Sequence, residues 1–395
     1  MSLRDATAAR LPPRAGTPLR QGFPAVAVPA SRLFCHPSRL ANTYEPGIET
    51  VCQEPLLIPA DAALISIGKG WTPPPARQRS GWRRRLTPLL LTRLAALRGG
   101  RPLDLGERLA YDARPIFNGN MAHLVQHHLA ALGYLRERLG HGAGEVTVIL
   151  EGQPPRLAVD VFSLLGYEMV ATDRPVGANL VEIRLAEFFH LLPWTGCLEL
   201  PRPAGGGPRR IFIPRRHSRR LENEADIEAC LREHGFEKIY FEDTPIPEQW
   251  SLMGQATDIV AIHGAALGCL AFQAAQRPRP AFSALPAAPG IRAGGGAGGG
   301  TGAGTGTPHP ALRPASIGGA RLLELFGSGF VVNPFRKFMA VLGGRWAGCR
   351  GRITPAVARD IDHPGRAKAH AFDDFELAPA AVEAALAFLG TGDKA

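Results

Sequence analysis

Histidine, arginine and carboxylate side chains fall at a few places in this chain where their spacing has chemical meaning. The first is His263, at the end of the apolar run Asp258-Ile259-Val260-Ala261-Ile262 and ahead of Gly264-Ala265-Ala266. The run is long enough for a buried strand, and the small residues after it open a helix at Ala265. A strand that turns on glycine into a helix leaves backbone N–H groups facing out of the turn. With the helix dipole, those groups form an anion site. A histidine fixed at the strand end can reach the same anion, although the stretch also reads as a buried turn with no ligand. A second group, Arg215-Arg216-His217-Ser218-Arg219-Arg220, follows the strand signal Arg210 to Ile213. A third is the pair His123 and His127, which shares a helix with Leu129, Leu132 and Leu135. Histidines four apart can hold a metal, but the glutamate of the zinc-protease helix motif is absent between them. The pair reads instead as one histidine lining a cleft at a helix start, or as capping and surface packing. Asp360-Ile361-Asp362 has the spacing of a metal-binding Asp-x-Asp, beside a turn at His363-Pro364-Gly365.

The elements that position these residues must come from a chain of 395 residues, enough for two domains or one large one. Apolar residues make up 45%, so the chain can bury cores. The net charge of +10 and pI of about 9.8 fit nucleic acid, membrane headgroups or phosphorylated small molecules as partners. An excess of Arg, Ala, Gly and Pro also follows from codon bias in a GC-rich genome. None of the six cysteines forms a C-x-x-C pair. Cys230 and Cys269 fall at apolar helix positions and read as buried thiols of a reducing compartment. The N-terminal residues show no apolar leader, and no run of 18 apolar residues occurs, so the expected location is cytoplasmic. The basic stretch Arg77 to Arg101 reads as a solvated arginine face, with a peripheral contact to an anionic membrane surface as the other option.

In chain order, residues 1–22 are Pro/Arg-rich and expected to be loose. From Gly144 strand and helix signals alternate: strands at Glu145 to Glu151 and Tyr167 to Thr172, a helix at Arg156 to Leu165 stopped by Gly166, and a third strand at Leu180 to Leu185. This rhythm predicts a parallel sheet with right-handed crossovers. Residues 23–200 are read as a first α/β domain, and Pro201 to Pro208 as a linker. Residues 209–345 are read as a second α/β domain. It has strands at Arg210 to Ile213, Phe236 to Phe241 and Arg321 to Phe326, an Asn223-capped helix stopped by Gly235, and a helix opened by Pro247. Its Gly/Ala/Pro-rich stretch 277–319 reads as a disordered insertion. Residues 346–395 form a tail with a last helix at Pro379 to Leu389.

The order of these motifs resembles the family-61 glycosyltransferases. The shared pattern is a strand ending in Arg215-Arg216, then Leu221-Glu222-Asn223-Glu224, Gly235-Phe236-Glu237, Glu248-Gln249, the block Thr257-Asp258 to His263-Gly264-Ala265, and the strand Leu323-Glu324-Leu325. The N-terminal half contributes Asn120-Met121-Ala122-His123. Two positions depart from the family pattern. His127 stands where a carboxylate is usual, and Ala266-Leu267-Gly268-Cys269 replaces Gly-Leu-x-Asn. The resemblance runs from about Ile116 to Ala347 and is strongest after Arg210.

The resemblance implies two Rossmann-like domains in a GT-B-like arrangement, with the cleft between them and a C-terminal segment that returns to the first domain. It implies an inverting transfer from a nucleotide-sugar donor, UDP-linked, to a hydroxyl of a glycan or lipid-linked polysaccharide, as in bacterial capsule biosynthesis. Arg215, Arg216, His263 and the amides of Gly264 and Ala265 would take the donor diphosphate without a metal or other cofactor. Glu324 would take the ribose hydroxyls, and His123 or His127 would serve as general base. A relative that keeps the fold without turnover is the alternative that His127 and Gly268-Cys269 suggest. A basic nucleic-acid binder is a third reading; few aromatics accompany the arginines and no nucleic-acid module is recognisable, so nucleic acid is not an expected partner.

Overall fold

The structure is a computed structural model that describes residues 19–36, 49–72, 102–116, 118–200, 207–276, 319–329, 331–360, 366 and 368–391. Short apolar runs supply its strands. Val146–Leu150 and Asp258–Ile262 are buried at every position, as expected of strands covered on both faces of a parallel sheet. In chain order the strands are β1 (Leu19–Phe23), β2 (Val26–Val28), β3 (Ser31–Cys35), β4 (Glu49–Gln53), β5 (Leu56–Ile58), β6 (Asp61–Thr72), β7 (Leu103–Asp112), β8 (Val146–Leu150), β9 (Glu168–Ala171), β10 (Val176–Arg184), β11 (Arg210–Ile213), β12 (Glu237–Lys238), β13 (Asp258–Ile262), β14 (Arg321–Phe326) and β15 (Arg345–Arg350).

The first sheet has the order β1-β6-β10-β7-β8-β9. Strands β10, β7, β8 and β9 run parallel, while β1 and β6 are antiparallel additions. The expected helix is Arg156–Leu164, and Gly166 ends it with a φ of 75° that a side chain would disfavour. Residues 19–22, the end of the stretch expected to be loose, are held in β1. β7 gives no clean alternation in sequence. Gly106, at φ 65°, interrupts it, and its register with β10 shifts between Gly177 and Asn179.

The second sheet has the order β12-β11-β13-β14-β15-β3-β4, all parallel except β4. Counted from β11, its first five strands lie in the order 2-1-3-4-5, one of the two common orders of doubly wound sheets. Period-two alternation divides each strand between two cores. Ile211, Ile213, Ile259, Ala261 and Leu322 face one layer with Met253, Leu267 and Phe338. Phe212, Val260, Ile262, Leu323 and Leu325 face the other, with Ile227, Leu231, Ala381 and Leu386. Helices Ile246–Gln255 and Pro334–Val341 therefore lie on one face, and Glu224–Glu233 and Pro379–Leu389 on the other.

Several expectations are corrected here. β3 and β4 come from the 23–200 stretch yet extend the second sheet, with Gly348 paired to Leu33. The C-terminal helix packs on the second sheet and does not return to the first. β12 is only Glu237–Lys238, because Phe241–Asp243 turns as a 3-10 helix. Asn223 precedes its helix but does not cap it. Its side chain instead donates to the Leu377 carbonyl and accepts from the Leu377 N–H, clamping the C-terminal segment. The helix after His263 is also 3-10, over Ala265–Gln276. Three residues per turn align Leu267, Leu270 and Gln273, all buried, on one edge. The Arg77 to Arg101 stretch, the 277–318 insertion and most of the 201–208 linker lie outside the described residues.

The helical stretch 121–139 begins at Met121–His123, passes through π-helical Leu124–Leu129 and ends as Ala130–Leu139. Its start docks on the second unit at Gly268, where a Cβ would collide with the Ala122 backbone. Gly268 holds the variable position of the family pattern, and Cys269, which replaces its asparagine, is fully buried. Gly268→Val is expected to lose about 1–3 kcal/mol through overpacking, measured by urea unfolding; unchanged stability would contradict the contact.

Candidate functional site

In doubly wound sheets, ligands bind outside the carboxyl ends of the strands where the strand order reverses. Here that point lies between β11 and β13, and the chain leaves those strands at Arg215 and His263. The His263 N–H still donates to Leu325 O at 2.8 Å, so the residue is held at the strand end. Its Nδ1–H donates to Glu324 Oε1 at 2.6 Å, and Trp346 Nε1 donates to Glu324 Oε2 at 2.7 Å. A carboxylate can only accept, so this arrangement fixes the proton on Nδ1 and the orientation of the ring. The ring stacks on Phe326 at 5.4 Å and meets Phe335 at 5.6 Å, leaving its side chain 13% exposed.

Glu324 itself is 0% exposed and both of its oxygens are engaged. It does not present an oxygen to a ribose; it positions His263. The sequence carried a signal for this. Arg321-Leu-Leu-Glu-Leu-Phe326 surrounds the glutamate with apolar residues in a central parallel strand, where both faces are buried.

The arginines divide in a way their adjacency concealed. Arg215 Nη1 lies against the His263 carbonyl at 3.4 Å, and its Nε is buried without a hydrogen-bond partner. A Cβ on Gly264 would meet Arg215 Nη1, so the guanidinium packs directly over this glycine. Arg216 points elsewhere: it pairs with Asp243 and covers the Tyr240 ring at 3.6 Å. The second arginine at His263 is Arg219, whose Nη1 donates to the same carbonyl at 2.8 Å. Arg219 has φ 57°, the one non-glycine residue with positive φ among those described, a conformation that costs about 1–3 kcal/mol. Burial and the neighbouring Arg215 charge lower its pKa. Among the described residues neither Arg215 nor Arg219 meets a carboxylate, whereas Arg216 pairs with Asp243, Arg220 with Asp374, and Arg210 and Arg321 with Asp258. Two cations held side by side without a counter-ion make a place for an anion. The four-residue spacing of Arg215 and Arg219 was visible in the sequence; which of the arginines converge was not.

Ala265 is partly buried at the first 3-10 turn, beside Gly264. His123 and His127 stack with ring centres 5.7 Å apart, one residue beyond the Ala122–Gly268 contact. The helix that carries them packs on the 3-10 helix that follows Gly264. His123 is exposed, and partial burial lowers its pKa. His127 packs edge-on to Phe188 at 4.8 Å; burial, then the His123 charge, lowers it to about 4. Asp360 of the Asp-x-Asp spacing faces His370 Nε2 at 3.2 Å, and its partners Ile361 and Asp362 lie outside the described residues. Among the described residues no three His, Cys, Asp or Glu side chains group to hold a metal. A cavity of about 470 Å³ beside β12 is lined by Glu228, Arg232 and Lys238, which pair with one another, and shares no residue with the site.

The chain belongs to the Glycosyltransferase 61 family, whose sequence model matches residues 69–278, more than half its length. That match starts ahead of the motifs first read at Ile116 and stops before Glu324. No curated protein matches the chain. Among solved structures it is similar to the bacterial iron-containing dodecameric glycosyltransferase TibC from enterotoxigenic E. coli H10407. There the identity is 13% and the TM-score 0.26, over 44% of this chain and 59% of that one. It is also similar to the dodecameric iron-containing heptosyltransferase TibC in complex with ADP-D-beta-D-heptose, at 12% identity and TM-score 0.26, over 66% and 73%. The chain therefore spans less than two thirds of the first of these structures.

The buried histidines also set an acid limit. Burial lowers His127 to about 4 and His128, inside the same helix against Tyr111, to about 3, against 6.5 for the open side chain. Below about pH 6.5 the unfolded chain binds protons that the folded chain refuses, so stability is lost as pH falls towards 4 and is unaffected by these groups above 7. His127→Gln is expected to flatten the fall of Tm between pH 6.5 and 4.5; an unchanged slope would contradict the burial of His127.

Proposed function

We propose that the chain is an inverting glycosyltransferase that uses a nucleotide-sugar donor, UDP-linked, and a hydroxyl of a glycan or lipid-linked polysaccharide. The observation that carries the reading is the convergence of Arg215 and Arg219, without carboxylate partners, on His263 at the β11/β13 switch point. A donor diphosphate has the charge this site lacks. Arg215, Arg219 and the Glu324-oriented His263 act as preorganised donors to the leaving diphosphate, with the Gly264 and Ala265 backbone at the turn. The acceptor O–H attacks the anomeric carbon, the bond from that carbon to the diphosphate oxygen breaks, and its electron pair leaves with the diphosphate. The acceptor proton passes to His123, whose pKa partial desolvation lowers from the ordinary histidine value, or to His127, which burial lowers to about 4. No metal enters this scheme.

The two α/β units form a GT-B-like pair of Rossmann-like domains, the donor on the second and the acceptor approaching from the histidine side. The biological setting fits a bacterial capsular polysaccharide, assembled at the cytoplasmic face of a membrane. No helix among the described residues is long and apolar enough to cross a membrane; the membrane contact proposed for this setting is a peripheral one. One observation favours the second reading, a relative that binds donor without turnover: a histidine lowered to about 4 stands where the family pattern has a carboxylate, and is a weak base near neutral pH.

Calorimetric titration with UDP-sugars tests the donor site. Arg215→Ala and Arg219→Ala are each expected to weaken binding tenfold or more, while Arg216→Ala and Arg220→Ala change it less than twofold. Equal loss in all four variants would reduce the site to general basicity. Donor binding without hydrolysis or transfer to any acceptor would establish the second reading.

A further inference from the structure

The C-terminal segment supplies a residue that lies outside the matched family region and has no structural task of its own. Phe372 keeps 65% of its surface exposed, while its neighbours Ala371 and Phe375 are buried. The other exposed large apolar residues among those described lie on β4, β5 and β6, and of them only Leu57 is as open as Phe372. Phe372 alone stands beside the switch point, because Arg219 holds it there. The Arg219 guanidinium lies 4.8 Å above the Phe372 ring, its Nε donates to Ala371 O at 2.5 Å, and its Nη1 donates to His263 O. The Arg219 N–H also donates to Phe372 O at 3.3 Å. The exposed ring is thus one guanidinium away from the proposed diphosphate position.

The segment behind the ring is fixed. Phe375 bridges Leu221, Glu222 N–H donates to Phe375 O at 2.8 Å, Phe375 N–H donates to Arg220 O at 3.0 Å, and Asn223 clamps Leu377 from both sides. Phe372 is therefore presented on a tied-down wall.

We propose that Phe372, backed by Arg219, is the stacking platform for the nucleobase of a nucleoside diphosphate. This rests on the donor-site reading above and adds its base end. The order of groups agrees: in a nucleoside 5′-diphosphate the base lies beyond the ribose from the phosphates, and here an open aromatic ring lies on the far side of Arg219 from His263. Arg219 would then touch both ends of the ligand, its charge on the phosphates and its plane against the ring that takes the base. Arg219 makes both contacts from a backbone at positive φ. Stacking on a phenylalanine is tolerant of base identity, because every base has a π-face. The platform therefore supplies affinity, and discrimination between uracil and adenine does not come from this residue.

Calorimetry on the full chain with UDP, ADP and inorganic pyrophosphate separates the two claims. Phe372→Ala is expected to weaken UDP and ADP alike by about tenfold, within the range of one base–aromatic stack, and to leave pyrophosphate unchanged. Phe372→Trp is expected to restore nucleotide binding. The side chain is exposed, so neither substitution threatens the fold. If wild-type protein binds UDP no tighter than pyrophosphate, or Phe372→Ala leaves UDP affinity intact, the platform is overturned while the diphosphate site stands. Equal weakening of pyrophosphate by Phe372→Ala would also overturn it, by showing that the ring only props Arg219. If wild-type protein binds none of the three, both the platform and the donor site fall.

Discussion

A buried carboxylate between two N–H donors organises this half of the molecule. Glu324 lies in the centre of a parallel sheet, where an unpaired charge would be severely destabilising. Trp346 on one neighbouring strand and His263 on the other satisfy it. The consequence is positional. His263 is held by its ring to Glu324 and by its N–H to Leu325, so its carbonyl becomes a fixed acceptor, on which Arg215 and Arg219 converge. Arg219 in turn carries the C-terminal segment through Ala371 and Phe372. A line of contacts therefore runs from the core of the sheet to a surface aromatic ring.

The two arginines are brought together at a cost that the surrounding structure must meet. Burial, and then the like charge of Arg215, lower the pKa of Arg219, and its backbone occupies a left-handed conformation. Arg216 and Arg220, one residue after each, are by contrast neutralised by Asp243 and Asp374. The loop thus separates structural arginines from uncompensated ones. An anion would relieve the repulsion, and the doubly wound strand order places this relief where such sheets bind ligands.

Much of this architecture was legible in the sequence, for identifiable reasons. β8, β11, β13 and β14 are short, largely apolar runs, and helix 156–164 is bounded by Pro155 and Gly166, so local signals agreed with the fold. What escaped depended on tertiary context. β7 is broken by a glycine bulge and is held between β10 and β8. β3 joins the second sheet by a crossing between units that no local pattern announces. At the site, His263 and Arg215 were identifiable from the strand ends they follow. Glu324 was identifiable as a marked residue, but its role changed once burial was known. Arg219 was hidden in a run of arginines, because which of them turn inward depends on a single positive φ. Phe372 had no signal at all, since its place is set by hydrogen bonds from a loop about 150 residues earlier.

In the proposed reaction Arg215, Arg219 and His263 hold the diphosphate of a sugar-nucleotide donor. A crystal structure of the full chain with UDP tests it most directly. The expected result is diphosphate density between the Arg215 and Arg219 guanidinium groups at the carboxyl ends of β11 and β13, within hydrogen-bond distance of His263. Nucleotide density anywhere else, with the two arginines undisturbed, would contradict the account.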